Sequence, residues 1–262
     1  MPIPKILHCC WFGGNPLPQE TLKYMESWRH YCPDFEIKVW DETNFDIHCC
    51  SYVEEAYSAK KWAFVADYAR FYAMWHDGGV YVETDTEIIR PIDELLQFNA
   101  FFGFGTETMT LPLCGTMKDS PVAKAMLDYY AGRSFGKDGN YDTTTVNQIL
   151  FNTLTEKFNL VHNNQFQILD GNIAVYPKEY FFSTDWQTGQ IKRNPKLFVI
   201  HYADSSWLDE KARKTVMRRR KLIKCLGEKV GNAISDTLTY CEEKGLKETF
   251  FKIVSKGVSK HS

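Results

Sequence analysis

The chain has 262 residues, of which 44% are hydrophobic and 24% are charged, values that are ordinary for a globular protein and exclude wholesale disorder. The net charge of −2 conceals an uneven distribution: residues 211–262 hold 14 basic and 5 acidic residues, whereas residues 1–210 hold 17 basic and 28 acidic ones. An acidic body is therefore followed by a basic region, which is a pattern typical of proteins with an anionic partner.

From the sequence we expect neither a targeting segment nor a metal-binding or redox-active cysteine motif. No run approaches the roughly 18 apolar residues that span a bilayer, and the N-terminal residues lack the pattern of a signal peptide. The eight cysteines include two adjacent pairs but no C-x-x-C spacing, which excludes zinc-ribbon and thioredoxin-like sites. Reduced thiols in a cytoplasmic protein are the simplest interpretation.

Hydrophobic periodicity predicts strands that alternate with helices over the first 200 or so residues. The predicted strands are 3–9, 36–40, 80–82, 100–104, 113–116, 166–169, 173–176 and 197–202, and the predicted helices are 18–31, 58–76, 121–131 and 143–155. Asp142 or Thr143 is expected to cap the last of these helices. This alternation is typical of an α/β domain. We therefore expect a domain over residues 1–208 and a basic amphipathic helical tail over residues 209–262.

The predicted helix 58–76 carries apolar residues on two faces, which is typical of a buried helix. Asp67 and Arg70 lie three residues apart on one side of it. Because a buried charge needs a partner, the two side chains either form a structural ion pair or line a polar pocket. Gly78 and Gly79 are expected to end this helix.

Three carboxylates, Glu83, Asp85 and Glu87, follow the predicted strand 80–82 at alternate positions, where extended chain places side chains on one face. A cation would neutralise such a cluster, and hard oxygen ligands suit Mg²⁺ or Mn²⁺. Open α/β sheets also bind ligands beyond the carboxyl ends of their strands. On spacing alone, however, a solvated acidic turn is the commoner explanation.

Three blocks of sequence resemble the DXD-containing glycosyltransferases of family 32, which are related to yeast Golgi mannosyltransferases and to clostridial glucosylating toxin domains. The blocks are PKILH with WFGG near the start, FVADYARFYAMWHDGGVYVETD over residues 64–85, and IHYADSSW at residues 200–207. They occur in the family's order and together cover about residues 4–208. One departure is that Glu83 replaces the first Asp of the D-x-D motif.

The resemblance implies a GT-A type, Rossmann-like fold with a C-terminal helical extension, a nucleotide-sugar donor, a bound Mn²⁺ or Mg²⁺, and retention at the anomeric carbon. The resemblance also implies a role for each matched position. Trp11 would stack on the nucleotide base, and Asp67 and Arg70 would bind hydroxyls of the donor sugar. Asp85 would ligate the metal, with Glu83 and His201 as further metal contacts, and Ser205 and Trp207 would close over the phosphates. Asp67, Arg70 and Asp85 are the expected catalytic residues.

The expected activity is that of a metal-dependent retaining hexosyltransferase in the synthesis of bacterial surface polysaccharide, such as capsule or O-antigen. Its donor would be a nucleotide-diphosphate sugar, with UDP favoured, and its acceptor a lipid-linked glycan or an oligosaccharide. Same-face attack is preferred over a covalent intermediate, because no nucleophile can be named. Two alternatives are a degenerate sugar-nucleotide binding protein, suggested by Glu83, and a toxin-like protein-modifying glycosyltransferase.

The basic residues 211–262 have two explanations. They form either a solvated helix face or a surface that docks on an anionic membrane, and the coincidence of charge with amphipathic stripes favours docking. The enzyme would then be cytoplasmic and peripheral on the inner face of the cell membrane. Nucleic acid is not expected as a partner, because no recognised reader motif accompanies the charge.

Overall fold

The computed structural model describes residues 2–185, 188–203 and 210–245. The chain divides into two compact units. The first comprises Met1–Thr184 with Ile191–Trp207, and the second comprises Asp185–Gln190 with Leu208–Ser262. Ser205 and Trp207, two of the residues matched to the phosphate loop, lie outside the described residues.

The first unit alternates strands and helices, which confirms the predicted α/β class. Its strands are β1 Ile6–Cys10, β2 Glu36–Trp40, β3 Gly79–Val82, β4 Thr86–Ile88, β5 Ala100–Phe104, β6 Met109–Thr116, β7 Gly136–Lys137, β8 Asn140–Tyr141, β9 Gln167–Leu169, β10 Ile173–Tyr176 and β11 Val199–His201. Its helices are α1 Gln19–Tyr31, α2 Ser51–Ser58, α3 Trp62–His76, α4 Pro121–Tyr130 and α5 Val146–Phe158.

Seven strands form the central sheet in the order β2-β1-β3-β6-β5-β10-β9. β1 pairs in parallel with both β2 and β3, whereas β6 runs antiparallel to β3 and β5. Register places Leu7 opposite Val80 and His8 opposite Tyr81. Because neighbouring parallel strands end at the same edge, the residues that follow β1 and β3 meet there. Trp11 and Glu83 are those residues.

A separate two-stranded sheet joins the acidic segment to the closing sequence block. β4 pairs antiparallel with β11, and the register places Thr86 opposite His201 and Glu87 opposite Ile200. The Trp28 indole on α1 donates a hydrogen bond to the Thr86 carbonyl oxygen at 2.8 Å. This small sheet therefore fixes the chain that immediately follows Asp85.

The predicted helix 58–76 is wrong at its beginning, because two helices meet there. α2 ends at Ser58, the Lys61 amide donates to the Ala56 carbonyl oxygen at 2.9 Å, and Lys60 adopts a left-handed φ of 58°. α3 then runs from Trp62 to His76 and is largely buried, as the two apolar faces predict. Lys60 therefore lies in a turn between the two helices, and the hydrophobic periodicity of the sequence does not reveal this turn.

The predicted start of α5 is also wrong. The helix begins at Val146, and the Thr145 hydroxyl caps it by accepting from the Gln148 amide at 3.4 Å. Asp142 instead accepts from the Thr144 amide at 3.0 Å, which stabilises the turn before the helix. Several consecutive Asp and Thr residues offer equivalent caps, and packing selects one of them.

The second unit contains two helices, α6 Glu210–Leu226 and α7 Glu228–Lys244, which confirm the expected helical extension. They pack closely where Gly231 meets α6, since a Cβ on Gly231 would lie 2.5 Å from the Ile223 nitrogen. Ion pairs also link Arg218 with Glu242 and Arg219 with Asp236. None of the helices that the structure describes combines the length and apolarity needed to cross a membrane. The last part of the expected helical tail, residues 246–262, lies outside the described residues.

Candidate active site

A buried histidine locks together the strands that carry the site. His8 has no exposed surface, its Nε2 lies 2.7 Å from the Gly78 carbonyl oxygen, and the Trp40 indole donates to its Nδ1 at 3.0 Å. These contacts assign the proton to Nε2, and burial lowers the pKa of the imidazole, so the ring is held neutral. His8 is therefore a core histidine with both ring nitrogens hydrogen-bonded.

The glycine pair after α3 allows the same close packing. Gly79 has a φ of +117°, and a Cβ at this position would lie 2.8 Å from both His8 Nε2 and the Ile6 carbonyl oxygen. A residue with a side chain would be strained by the backbone conformation and would clash with β1. Gly79 thus sets the approach of β3 to β1 and, with it, the position of Glu83.

Three charged side chains predicted to belong to the donor site are in direct contact. The Arg70 guanidinium donates from Nη2 to Asp67 Oδ1 at 2.7 Å and from Nη1 to Glu83 Oε1 at 2.8 Å. The side chains of Arg70, Asp67 and Glu83 are 4%, 12% and 28% exposed, respectively. The cluster joins α3 to the end of β3 and becomes more open to solvent toward Glu83.

The environment of Asp67 weakens its ionisation. Burial raises the pKa of this carboxyl to about 7, the negative charge of Glu83 acts in the same direction, and the Arg70 guanidinium opposes both. Asp67 can therefore exchange a proton near neutral pH, which suits a group that hydrogen-bonds hydroxyls.

Asp85 is paired with His201, the histidine of the closing block. His201 Nε2 lies 3.2 Å from Asp85 Oδ1, and both side chains are partly exposed. The Tyr202 amide donates to the Asp85 carbonyl oxygen at 2.9 Å, and the Tyr202 hydroxyl donates to Glu87 Oε2 at 2.8 Å. The second and third sequence blocks thus meet at this pair, while the third acidic residue is engaged by a tyrosine.

Trp11 lies directly beyond β1, at the sheet edge that also carries Glu83. Its amide donates to the Trp40 carbonyl oxygen at 2.8 Å, and its indole donates to the Asn15 carbonyl oxygen at 2.7 Å. The side chain is partly exposed rather than buried in the core. A partly exposed indole whose nitrogen is hydrogen-bonded leaves ring surface for stacking. The stacking of Trp11 on a nucleotide base stays a prediction.

The donors present fit a divalent cation only in part. In the stretches 2–185, 188–203 and 210–245, no group of three or more His, Cys, Asp or Glu side chains is arranged to hold a metal ion. Asp85 and His201 supply one oxygen and one nitrogen donor close together. Mg²⁺ commonly takes one or two protein carboxylates and completes its shell with substrate phosphates and water. Two protein donors therefore suit a cation that arrives with a diphosphate.

The sequence did not identify Tyr81 as part of this cluster. The Arg70 guanidinium lies over the Tyr81 ring, 4.4 Å from its centroid, and the Tyr81 hydroxyl lies 3.4 Å from Glu83 Oε2. The spacing of two between Tyr81 and Glu83 on an extended strand is a signal that both share a face. The sequence does not reveal this role, because a tyrosine in a predicted buried strand is usually a core residue.

Comparison with known proteins relates part of this chain to a glycosyltransferase family. Residues 18–102, which include α3, β3 and the Glu83–Asp85 segment, match a family profile described as "Glycosyltransferase sugar-binding region containing DXD motif". Residues 18–102 are therefore similar to the sugar-binding region of DXD-containing glycosyltransferases. This region includes Asp67, Arg70, Glu83 and Asp85, whereas Trp11 and His201 lie outside the matched residues.

Two yeast mannosyltransferases are similar to part of this chain. Inositol phosphoceramide mannosyltransferase 3 of Schizosaccharomyces pombe is 26% identical over 107 residues, which is 38% of this chain and 29% of the relative. Initiation-specific alpha-1,6-mannosyltransferase of Candida albicans is 29% identical over 107 residues, 36% of this chain and 27% of the relative. The similarity thus spans less than a third of either yeast protein.

Solved glycosyltransferase structures resemble the chain at low sequence identity. PaToxG glycosyltransferase has a TM-score of 0.46 and 14% identity, covering 60% of this chain and 69% of that chain. The glycosyltransferase GlyE of Streptococcus pneumoniae TIGR4 has a TM-score of 0.47 and 10% identity, covering 82% of this chain and 59% of that chain.

Proposed function

We propose that the chain is a retaining glycosyltransferase whose catalytic domain is a GT-A type domain over residues 1–208. It transfers a hexose from a nucleotide-diphosphate sugar, UDP-linked by preference, to a lipid-linked or oligosaccharide acceptor in bacterial surface polysaccharide synthesis. The two named relatives are mannosyltransferases, so a mannosyl donor is a further candidate for this chain.

One observation carries the proposal: the Asp67–Arg70–Glu83 cluster and the Asp85–His201 pair lie at the two ends of a single three-residue segment, Glu83–Asp85. A nucleotide-sugar needs both kinds of group, because its hydroxyls require hydrogen-bonding partners and its diphosphate requires positive charge. Asp67 and Arg70 supply the first, and Asp85 with His201 would hold the cation that supplies the second.

In the proposed reaction, the bond between the anomeric carbon and the diphosphate oxygen breaks as the acceptor oxygen attacks from the same face. The bond electrons leave with the diphosphate, and its departing oxygen takes the proton of the acceptor hydroxyl as the new bond to the anomeric carbon forms. A divalent cation, when bound, would neutralise the charge that develops on this leaving group. Asp67 accepts a hydrogen bond from a sugar hydroxyl, Arg70 donates one, and Trp11 stacks on the base. Holding the donor in this orientation lowers the entropic part of the barrier.

The proposal is tested by donor binding and turnover in the full chain. We expect one member of a panel of UDP-glucose, UDP-galactose, UDP-N-acetylglucosamine and GDP-mannose, each with Mn²⁺, to raise the melting temperature by roughly 5–10 °C at about 100 times its dissociation constant. Asp85→Asn should abolish both the metal-dependent shift and donor turnover. Glu156→Gln, an exposed change on α5, should alter neither.

The outcomes separate the proposal from its competitor. Binding without hydrolysis or transfer, at any Mn²⁺ concentration and with glycan acceptors present, would favour a degenerate sugar-nucleotide binding protein. The absence of a thermal response to every nucleotide-sugar would contradict both functions. Unchanged turnover in Asp85→Asn would contradict the assigned metal site.

We also propose that the second unit docks on an anionic membrane. The exposed lysines of α6, among them Lys211, Lys221 and Lys224, supply positive charge, and each adds about 1 kcal/mol near an anionic surface. Apolar side chains on α7 are also exposed, with Val230 at 51% and Leu238 at 41%. Basic charge beside an uncovered apolar stripe supports interfacial binding.

Co-sedimentation with vesicles of phosphatidylserine and phosphatidylcholine tests the docking proposal. A Val230→Ser, Ile234→Ser, Leu238→Ser variant should bind about tenfold or more weakly, because it removes most of the exposed apolar surface of α7. Val161→Ser, at a 59% exposed position in the first unit, serves as the control. Equal binding of the triple variant and the control would contradict docking through this stripe.

A further inference from the structure

Both oxygens of the Glu83 carboxylate already face protein donors. Oε1 accepts from Arg70 Nη1 at 2.8 Å, and Oε2 lies 3.4 Å from the Tyr81 hydroxyl. A carboxylate that ligates a metal needs at least one of these oxygens turned toward the ion. Asp85, two residues along the chain, faces His201 instead. The two acidic residues of the motif thus engage different partners.

Arg70 is the residue that this arrangement restrains. It is 3% exposed, Nη2 donates to Asp67 at 2.7 Å, and the guanidinium plane lies over the Tyr81 ring. Its Nε is buried and has no hydrogen-bond partner among the described residues. An unsatisfied donor of a buried charged group is costly, so the guanidinium depends on the two carboxylates that accept from its Nη1 and Nη2 groups.

We propose that Glu83 is a positioning residue for Arg70, and that it holds the guanidinium against Tyr81 and Asp67 in the orientation in which it binds the donor sugar. This inference rests on the proposed function, and it differs from the metal contact that the family resemblance implies for this position. Glu83 acts through Arg70, whereas Asp85 acts through the cation.

Two carboxylates share the counter-charge of the buried Arg70 guanidinium. Burial raises the pKa of Asp67 to about 7, so this partner is partly neutral at physiological pH. A buried guanidinium opposite a neutral acid would lack a full counter-charge. Glu83, the more exposed of the two carboxylates, supplies that charge from the solvent side.

The first experiment compares ligands with and without the sugar. For whichever nucleotide-sugar the wild type binds, titration calorimetry of the full chain with Mn²⁺ is repeated with the matching nucleoside diphosphate. Glu83→Gln should weaken nucleotide-sugar binding about tenfold or more, as expected when a charged hydrogen bond is lost, with nucleoside diphosphate binding and the Mn²⁺ midpoint unchanged. Asp85→Asn should shift the Mn²⁺ midpoint and weaken both ligands. Glu156→Gln should change none of these.

A Mn²⁺ midpoint that shifts in Glu83→Gln as it does in Asp85→Asn would overturn the proposal and restore Glu83 as a metal contact. Equal weakening of the nucleotide-sugar and the nucleoside diphosphate would overturn it as well. A wild type that binds no nucleotide-sugar would contradict the proposed function, and the positioning role is then decided by a measurement that needs no ligand.

That measurement is the ¹⁵N NMR signal of the Arg70 Nε–H group in arginine-labelled protein, assigned by its loss in Arg70→Lys. Because the guanidinium is buried and held on two sides, the wild-type signal should exchange slowly with water. Glu83→Gln should speed this exchange about tenfold or more by weakening one of those contacts, and Glu156→Gln should not. An unchanged signal in Glu83→Gln would overturn the proposal.

Discussion

His201 Nε2 lies 3.2 Å from Asp85 Oδ1, although more than a hundred residues separate the two in the chain. The contact exists because β11 pairs antiparallel with β4, which places His201 opposite Thr86, the residue after Asp85. The acidic segment and the closing block of the sequence therefore lie side by side, and the backbone ladder determines their register.

His201→Ala should weaken the response to Mn²⁺ more than the affinity for metal-free nucleotide. Loss of a ligand or of its orienting partner costs about 10- to 100-fold in metal affinity, so the Mn²⁺ midpoint for nucleotide binding should rise by this factor. Fluorescence or calorimetric titration with Mn²⁺ measures it. His48→Ala, at an exposed histidine paired with Glu54, is the matched control. A midpoint identical in both variants would show that His201 does not support the cation.

Asp67→Asn should change how stability depends on pH. The pKa of Asp67 in the folded protein is raised from 3.8 to about 7, so the folded state binds this proton more tightly than the unfolded chain. Stability from this group is therefore present below about pH 4 and is lost as pH rises toward 7. Urea denaturation of the wild type across this window should show the decline, and Asp67→Asn should lack that component. Parallel pH profiles for the two proteins would refute the assignment.

Gly79→Ala should be strongly destabilising. The new methyl group would lie 2.8 Å from His8 Nε2 and the Ile6 carbonyl oxygen at a φ of +117°. Backbone strain and overpacking together predict a loss of about 2–5 kcal/mol in the free energy of unfolding.

Gly139→Ala separates the two causes. Gly139 also has a positive φ of +87°, but no atom of the described residues lies within 4 Å of the point that its new methyl group would occupy. The substitution should cost only the strain of the left-handed backbone, about 1–2 kcal/mol. Equal losses in the two variants, measured by urea denaturation, would rule out close packing against β1 as the reason for glycine at position 79.

The sequence predicted the elements whose signals are local. Helix α1 and strand β2 lie within a residue of their expected bounds, because amphipathic period and turn residues define them. The helix expected over 58–76 failed at its beginning, where α2 ends at Ser58 and a turn with a left-handed Lys60 leads into α3. Apolar periodicity continues through that turn and cannot signal it.

The sequence by itself determined the α/β class and the helical character of the basic extension. It also determined the motif that contains Asp67, Arg70, Glu83 and Asp85. Only the tertiary structure decided how these groups pair: Glu83 with Arg70 over Tyr81, and Asp85 with His201. The reason is physical. Spacing in the chain fixes which side chains share a face, but β-ladder register and burial determine which partner neutralises each charge.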